Sequence, residues 1–139
     1  MSNRATEDST ATRTLLAGAA YFAIVFAAGF VLGAIRTLVL VPRFGSFTAV
    51  LLELPVMLVI SWIACGKVLA RFDIPARTAP RLGVGASAFT LLMLAEVVLS
   101  LFAFDRAPSD YLAELGTPHG LLGLAGQVLF ALMPLVHRR

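Results

Sequence analysis

Four long apolar stretches limit the folds that this chain can adopt. The first, residues 15–35, contains no charged side chain. At about 1.5 Å of rise per residue, a helix of such length crosses the roughly 30 Å of hydrocarbon in a bilayer. The stretches do not alternate with the period of two that is typical of barrel strands. The sequence therefore predicts an all-α integral membrane bundle of four transmembrane helices, with spans at about 15–36, 47–70, 82–104 and 119–136.

Composition supports a single membrane domain with little else. Hydrophobic residues make up 59% of the chain, whereas an ordinary soluble domain is about 45–50% apolar. Residues 15–139 are predicted to form this domain. Residues 1–14 are polar and include Arg4, Glu7, Asp8 and Arg13, so they are predicted to be a disordered cytoplasmic tail. The first apolar stretch is longer than the core of a cleavable signal peptide, which favours a retained span.

The basic residues predict the orientation of the bundle. Lysine and arginine are enriched in cytoplasmic loops, and here eight lie on one side of the predicted spans and three on the other. Both termini are therefore predicted to be cytoplasmic. The 105–118 loop then lies outside, and its segment Ser109–Leu115 is predicted to form a short interfacial helix. The larger set is Arg4, Arg13, Lys67, Arg71, Arg77, Arg81, Arg138 and Arg139, and the smaller set is Arg36, Arg43 and Arg106.

Several polar side chains interrupt the apolar stretches at similar depths. Glu96 and Gln127 each lie about 12 Å from the outer end of their span, and Glu53 lies about 6 to 9 Å from it, at the helical rise per residue. Arg36 closes the first span on the same side. Ionisable residues inside a span need a partner, an aqueous cavity or a function. We expect a polar cluster of Arg36, Glu53, Glu96 and Gln127, with His119 near its mouth.

Structural roles compete with this hypothesis at each position. Arg36 and Glu53 lie close enough to the boundary to form an ordinary interfacial ion pair, and His119 is typical of an interfacial residue. Glu96 has the alternative of a structural hydrogen bond to Gln127 or to a backbone carbonyl. Without a cationic partner, Glu96 would favour its protonated form in apolar surroundings and could exchange protons. Pairing with Arg36 would instead hold it ionised.

Two glycine stripes predict close helix packing. Gly29, Gly33 and Arg36 share one face of the first span, and Gly120 and Gly123 share a face with Gln127 in the fourth. Small residues let membrane helices approach each other closely. The four glycines are therefore expected to lie at helix contacts, either within one chain or between chains.

Most enzyme and cofactor classes lack support in this sequence. It has no phosphate-binding glycine loop followed by lysine, no paired histidine metal motif and no nucleophile elbow. With two histidines and the single Cys65, no metal site and no cofactor are predicted. The basic residues lie beside apolar stretches and form no patch with aromatics, so nucleic acid is not an expected partner. A lipid-directed enzyme would require His119 or Cys65.

Four stretches carry a resemblance that covers nearly the whole membrane region. They are GFVLGAIRTLVLVPRFG at 29–45, LLELPVML at 51–58, LAEVVLS at 94–100 and LFALMPL at 129–135. The sequence resembles a group of small proteobacterial inner-membrane proteins with four helices, to which no activity is assigned. The resemblance implies a bacterial inner-membrane location and a four-helix architecture, and it implies no reaction.

Two functions from different classes follow from these observations. The first is a non-enzymatic accessory or assembly component of a membrane complex, in which the polar cluster fixes helix packing. The second is a small oligomeric transporter linked to protons or ions through Glu96. The expected partners are the lipid bilayer and either another membrane protein or further copies of this chain. In the first case Glu96→Gln keeps function at a cost in stability, and in the second it leaves an inserted but inactive protein.

Overall fold

The computed structural model describes residues 2–102 and 105–137, which form helices and short connections with no strand. Four helices are long and apolar enough to cross a membrane, which confirms the predicted all-α architecture. Residues 103 and 104 at the predicted end of the third span, together with Arg138 and Arg139, lie outside the described residues. The helices are α1 (Ser2–Ile35), a π-helical segment (Arg36–Leu40), α2 (Val41–Phe44), α3 (Ser46–Arg71), α4 (Thr78–Phe102), α5 (Pro108–Leu115) and α6 (Pro118–Val136).

The four long helices form a ring with a definite neighbour order. Helix α1 packs against α3 and α4, and α6 packs against the same two helices. Helices α1 and α6 are therefore diagonal across the bundle, as are α3 and α4. Helix α5 covers one end of α4 and α6. We call that end of the bundle the α5 end, and we call the opposite end, which holds the 72–77 loop and His137, the terminal end.

The chain before the first apolar stretch is helical in the structure, which differs from the predicted disordered tail. Helix α1 begins at Ser2 and continues into the apolar stretch without a break. Thr10 and Thr12 donate hydrogen bonds to carbonyls four residues earlier, and Arg13 donates to the Asp73 carbonyl at 3.1 Å. Nucleation is the costly step of helix formation, and a long span supplies the nucleus from which polar residues extend. The lack of an apolar stretch before residue 14 therefore does not prevent helix formation there.

Helix α1 changes its winding where its apolar stretch meets Arg36. The Val41 N–H donates to the Arg36 carbonyl five residues earlier, which defines a π turn. Pro42 follows directly and has no N–H to donate to the carbonyl of Leu38, so the regular pattern of α-helical bonds cannot continue through it. The reversal into α3 occurs at Gly45, whose φ of 84° favours glycine.

The middle of the bundle is closed by Tyr21. Its side chain is fully buried, and its ring stacks on Phe130 of the diagonal helix with a centroid distance of 4.3 Å. Val84, Cys65 and Pro134 are the other largest fully buried side chains among the described residues. A tyrosine from α1 thus reaches across the ring to α6 and fills the space between all four helices.

Glycines at three helix contacts allow the backbones to approach closely. A side chain at Gly85 would overlap the Ala131 carbonyl oxygen of α6, and one at Gly18 would overlap Ser87 of α4. A Cβ at Gly126 would overlap the Leu54 side chain of α3. The Gly85 contact is with a backbone oxygen and sets the spacing of α4 to α6, whereas the nearest atoms at Gly18 and Gly126 belong to side chains.

Candidate polar site between the helices

The first polar pair joins the π-helical segment after α1 to α3. Nη1 of Arg36 donates to Oε2 of Glu53 at 2.7 Å. The Arg36 side chain is 34% exposed and the Glu53 side chain 11% exposed. A guanidinium can only donate hydrogen bonds, so this pairing stabilises the ionised form of the carboxyl group.

The second polar group joins α4, α5 and α6 around Glu96. Nε2 of Gln127 donates to Oε1 of Glu96 at 2.5 Å, and the Tyr111 hydroxyl donates to Oε2 at 2.8 Å. Each carboxyl oxygen therefore has one donor, and both donors are uncharged side chains. Glu96 and Gln127 meet as their predicted depths suggested, while Tyr111 is a partner that the sequence analysis did not identify.

The two groups lie at one level of the bundle but on different helix pairs. Leu54 of α3 contacts Gly126 of α6, so their neighbours Glu53 and Gln127 are at similar heights. Across the described residues, no hydrogen bond or ion pair joins the Arg36 pair to the Glu96 group. The expected single cluster is thus divided into two groups within one layer, and Arg36 pairs with Glu53 instead of Glu96.

His119 belongs to a third group at the surface of the α5 end. Its Nε2 lies 3.5 Å from Oε1 of Glu114, and Glu114 also forms an ion pair with Arg106. Thr117 accepts a hydrogen bond from the Gly120 N–H at 3.1 Å and caps the start of α6. The open pocket beside these residues has a volume of about 450 Å³. In the described structure, His119 has no direct bond to Glu96 or Gln127.

Tyr111 is held over Glu96 by the structure of α5. Pro108 occupies the first turn of this helix, and Asp110 accepts a hydrogen bond from the Ala107 N–H at 3.2 Å, which fixes the helix start. Burial and the nearby Glu96 carboxylate raise the pKa of the Tyr111 phenol above its usual value. The phenol therefore keeps its proton at physiological pH and remains a donor to Glu96.

The four glycines predicted at helix contacts have different surroundings. Gly29 faces Met57 of α3 at 3.4 Å from an added Cβ, and Gly120 lies against the Glu114 carbonyl of α5. Gly33 faces only the Arg36 side chain, and Gly123 faces open space. Within one chain, Gly120 therefore marks a close approach, of α6 to α5, whereas Gly33 and Gly123 mark none, because helix rotation decides which face of each stripe is covered.

Arg81 is the polar residue whose role differs most from its sequence interpretation. It was counted among the cytoplasmic loop charges, yet it is only 5% exposed and lies in the first turns of α4. Its guanidinium donates to four carbonyl oxygens, two from the 72–77 loop and two from the end of α6. These are Ile74 at 3.3 Å, Pro75 at 3.1 Å, Pro134 at 3.3 Å and His137 at 2.6 Å.

The Tyr21 hydroxyl fills a bonding position that a proline leaves vacant. Pro134 has no N–H, so the Phe130 carbonyl four residues earlier lacks its helical donor. The Tyr21 hydroxyl donates to that carbonyl at 2.7 Å. In the sequence, Pro134 indicates that the carbonyl four residues earlier lacks its helical donor. It does not indicate which residue supplies a donor instead.

Removing this donor is expected to destabilise the bundle. Tyr21→Phe leaves a buried carbonyl without a partner, and we expect a loss of about 1 to 3 kcal/mol in the free energy of unfolding. Pro134→Ala in the same chain restores an N–H to α6 and should recover part of the loss. Unfolding by SDS titration in mixed micelles measures both effects. Equal stabilities for the wild type and Tyr21→Phe would contradict the assigned role of the hydroxyl.

Two carboxyl groups at the same height in the bundle have different kinds of partner. Glu53 is bound to a permanent cation, whereas Glu96 is bound to an amide and a phenol. The described residues contain no group of three or more histidine, cysteine or acidic side chains suited to a metal ion.

Comparison with protein-family models, with curated proteins and with solved structures gave no match.

Proposed function

We propose that this chain is a multi-pass protein of the bacterial inner membrane, and that it acts as a non-enzymatic accessory or assembly component of a larger membrane complex. The closed middle of the bundle is the observation that carries this proposal. Tyr21 is fully buried there and bonds to the diagonal helix, while Arg81 bonds to four carbonyls at the terminal end. A packed interior favours a role in contacts with other proteins over transport through one chain.

The outer faces of the long helices support a role in association within a bilayer. Large apolar side chains are exposed on every long helix, among them Leu16, Leu51, Leu94 and Leu129. Such faces are compatible with lipid, and they are also the faces through which membrane helices pack on a partner. The excess of basic residues at the terminal end favours a cytoplasmic position for that end.

Purification from native membranes with matched crosslinking sites tests the accessory role. The tagged protein is extracted gently, and the co-purifying proteins are quantified by mass spectrometry for the wild type and for Glu96→Gln. A photo-crosslinking residue is placed at Leu94, which is 58% exposed, and in a separate chain at Val84, which is fully buried. We expect one foreign membrane protein at a fixed ratio, and a crosslink to that protein from position 94 alone.

The Glu96→Gln chain separates a packing role from a coupling role. A glutamine at this position can still accept from Tyr111 and bond to Gln127, so we expect the same partner to be recovered with a lower stability. Recovery of only self-associated chains, with crosslinks only to further copies of this chain, would contradict the accessory role. That result would favour a self-contained oligomeric transporter and make ion-flux measurements the next step.

A further inference from the structure

One buried oxygen of the Glu96 group has no hydrogen-bond partner. Oε1 of Gln127 is shielded from solvent, and no donor reaches it in the part of the chain that the structure describes. The same amide uses its Nε2 to donate to Glu96. Buried polar atoms are nearly always satisfied, so an orphaned acceptor beside a carboxyl group calls for an explanation.

A carboxamide can serve both protonation states of a carboxyl group. As a carboxylate, Glu96 accepts from Nε2 of Gln127 at 2.5 Å, as the structure shows. Once protonated, its O–H needs an acceptor, and a half-turn of the Gln127 amide presents Oε1 at the same place. The Gln127 oxygen then accepts the proton on Glu96, and the NH2 group takes the position that this oxygen had. Arg36, the partner of Glu53, has only donor groups, so it cannot accept a hydrogen bond from a protonated Glu53.

We propose that Glu96, Gln127 and Tyr111 form a proton-binding site at the α5 end of the bundle. In the binding step, a hydronium ion gives its proton to the Glu96 carboxylate, so that an O–H bond breaks in hydronium, one forms on Glu96, and a water molecule leaves. Gln127 rotates to accept the new O–H, and Tyr111 donates to the other carboxyl oxygen in both states. Proton binding goes beyond the accessory role and does not depend on it.

The charged groups around the site leave the Glu96 carboxyl without a direct cationic partner. From α5, Tyr111 contacts it, and Glu114 is occupied by Arg106 and His119. From α6, the contact is the neutral Gln127 amide. From the α1 side, Arg36 bonds to Glu53 of α3. Protonation of Glu96 therefore breaks no ion pair, and it removes a negative charge from between the helices.

Infrared spectroscopy of the full chain in liposomes tests this site. The carboxylic acid C=O stretch is recorded in a titration between about pH 4 and 10, which spans the range over which perturbed carboxyl groups titrate. Wild type, Glu96→Gln and the matched control Glu53→Gln are compared. Exposed carboxyl groups titrate at about pH 4 in all the chains. Beside their bands, we expect one further carboxyl band that titrates in the wild type, disappears in Glu96→Gln and persists in Glu53→Gln.

A fourth chain tests the part assigned to Gln127. In Gln127→Leu the protonated Glu96 loses its acceptor, so we expect its C=O band to shift to higher frequency while the helical amide bands stay unchanged. A wild type without this further band would overturn the proposal, as would survival of the further band in Glu96→Gln. A band with the same frequency in Gln127→Leu would overturn the role of the amide. Partner recovery is measured separately, so the accessory role and proton binding can fail independently.

Discussion

Gly85→Ala is expected to lower the stability of the bundle by about 3 kcal/mol, the upper end of the usual cost of overpacking a core contact. A methyl group at this position would overlap the Ala131 carbonyl oxygen, which belongs to the backbone of α6. A backbone oxygen cannot rotate away as a side chain can. Helix α4 must therefore move away from α6, and the separation would also disturb the Glu96 and Gln127 contact between the same helices.

The same substitution at Gly123 provides the control. Gly123 lies in the second turn of α6 and has open space where a methyl group would be added. Alanine is the better helix former by about 1 kcal/mol, so Gly123→Ala is expected to keep or modestly raise the stability. SDS titration in mixed micelles, followed by circular dichroism, measures both chains. A loss of equal size in the two variants would contradict the assigned α4 to α6 contact.

The long helices were predictable because their signal is local. An apolar run of sufficient length specifies a helix regardless of its neighbours, and Thr117 with Pro118 marks the start of α6 in the same local way. The helical conformation of the polar residues before Thr14 was not predicted, because helix propagation from a long span depends on continuity and needs no apolar contact. The π turn after Arg36 likewise depends on how Pro42 is accommodated.

The depth of the polar groups was more predictable than their partners. Counting residues from the span ends placed Glu96 and Gln127 at one level, and their side chains are bonded. Depth alone could not show that Arg36 bonds to Glu53, since that choice depends on helix rotation and on the ring order of the helices. Tyr111 was assigned to an interfacial helix, but its contact with Glu96 requires the fold of the whole 105–118 loop.

Arg81 illustrates a different limit of sequence reasoning. A charged residue between two apolar stretches was interpreted as a solvated loop charge, which is the usual case. Arg81 is buried because carbonyl oxygens surround it. The 72–77 loop turns at Asp73, which has a φ of 52°, and directs carbonyl oxygens toward the start of α4. The end of α6 supplies further carbonyls without helical donors. A guanidinium with five N–H donors satisfies carbonyls from both segments at once.

Arg81→Met is accordingly expected to cost about 3 kcal/mol or more, because hydrogen bonds to charged groups contribute about 1.5 to 3 kcal/mol each and four are lost together. The effect should be greatest at the terminal end. Trp62, the only tryptophan in the chain, packs against the tilted His137 ring at a centroid distance of 4.3 Å, and the His137 carbonyl is bound by Arg81. Tryptophan fluorescence during SDS titration therefore reports on this contact directly.

Arg77→Met is the matched control, since it removes the same charge from an exposed position four residues earlier. We expect it to leave the unfolding transition within about 0.5 kcal/mol of the wild type, as for most surface substitutions. Hydrogen exchange adds a local readout, because amides in the last turn of α6 should exchange faster in Arg81→Met while those around Gln127 stay protected. Equal losses of stability in the two variants would show that the removed positive charge, and not the carbonyl bonds of Arg81, accounts for the effect. A large loss confined to Arg81→Met would show that the guanidinium joins the 72–77 loop to α6 through its carbonyl bonds.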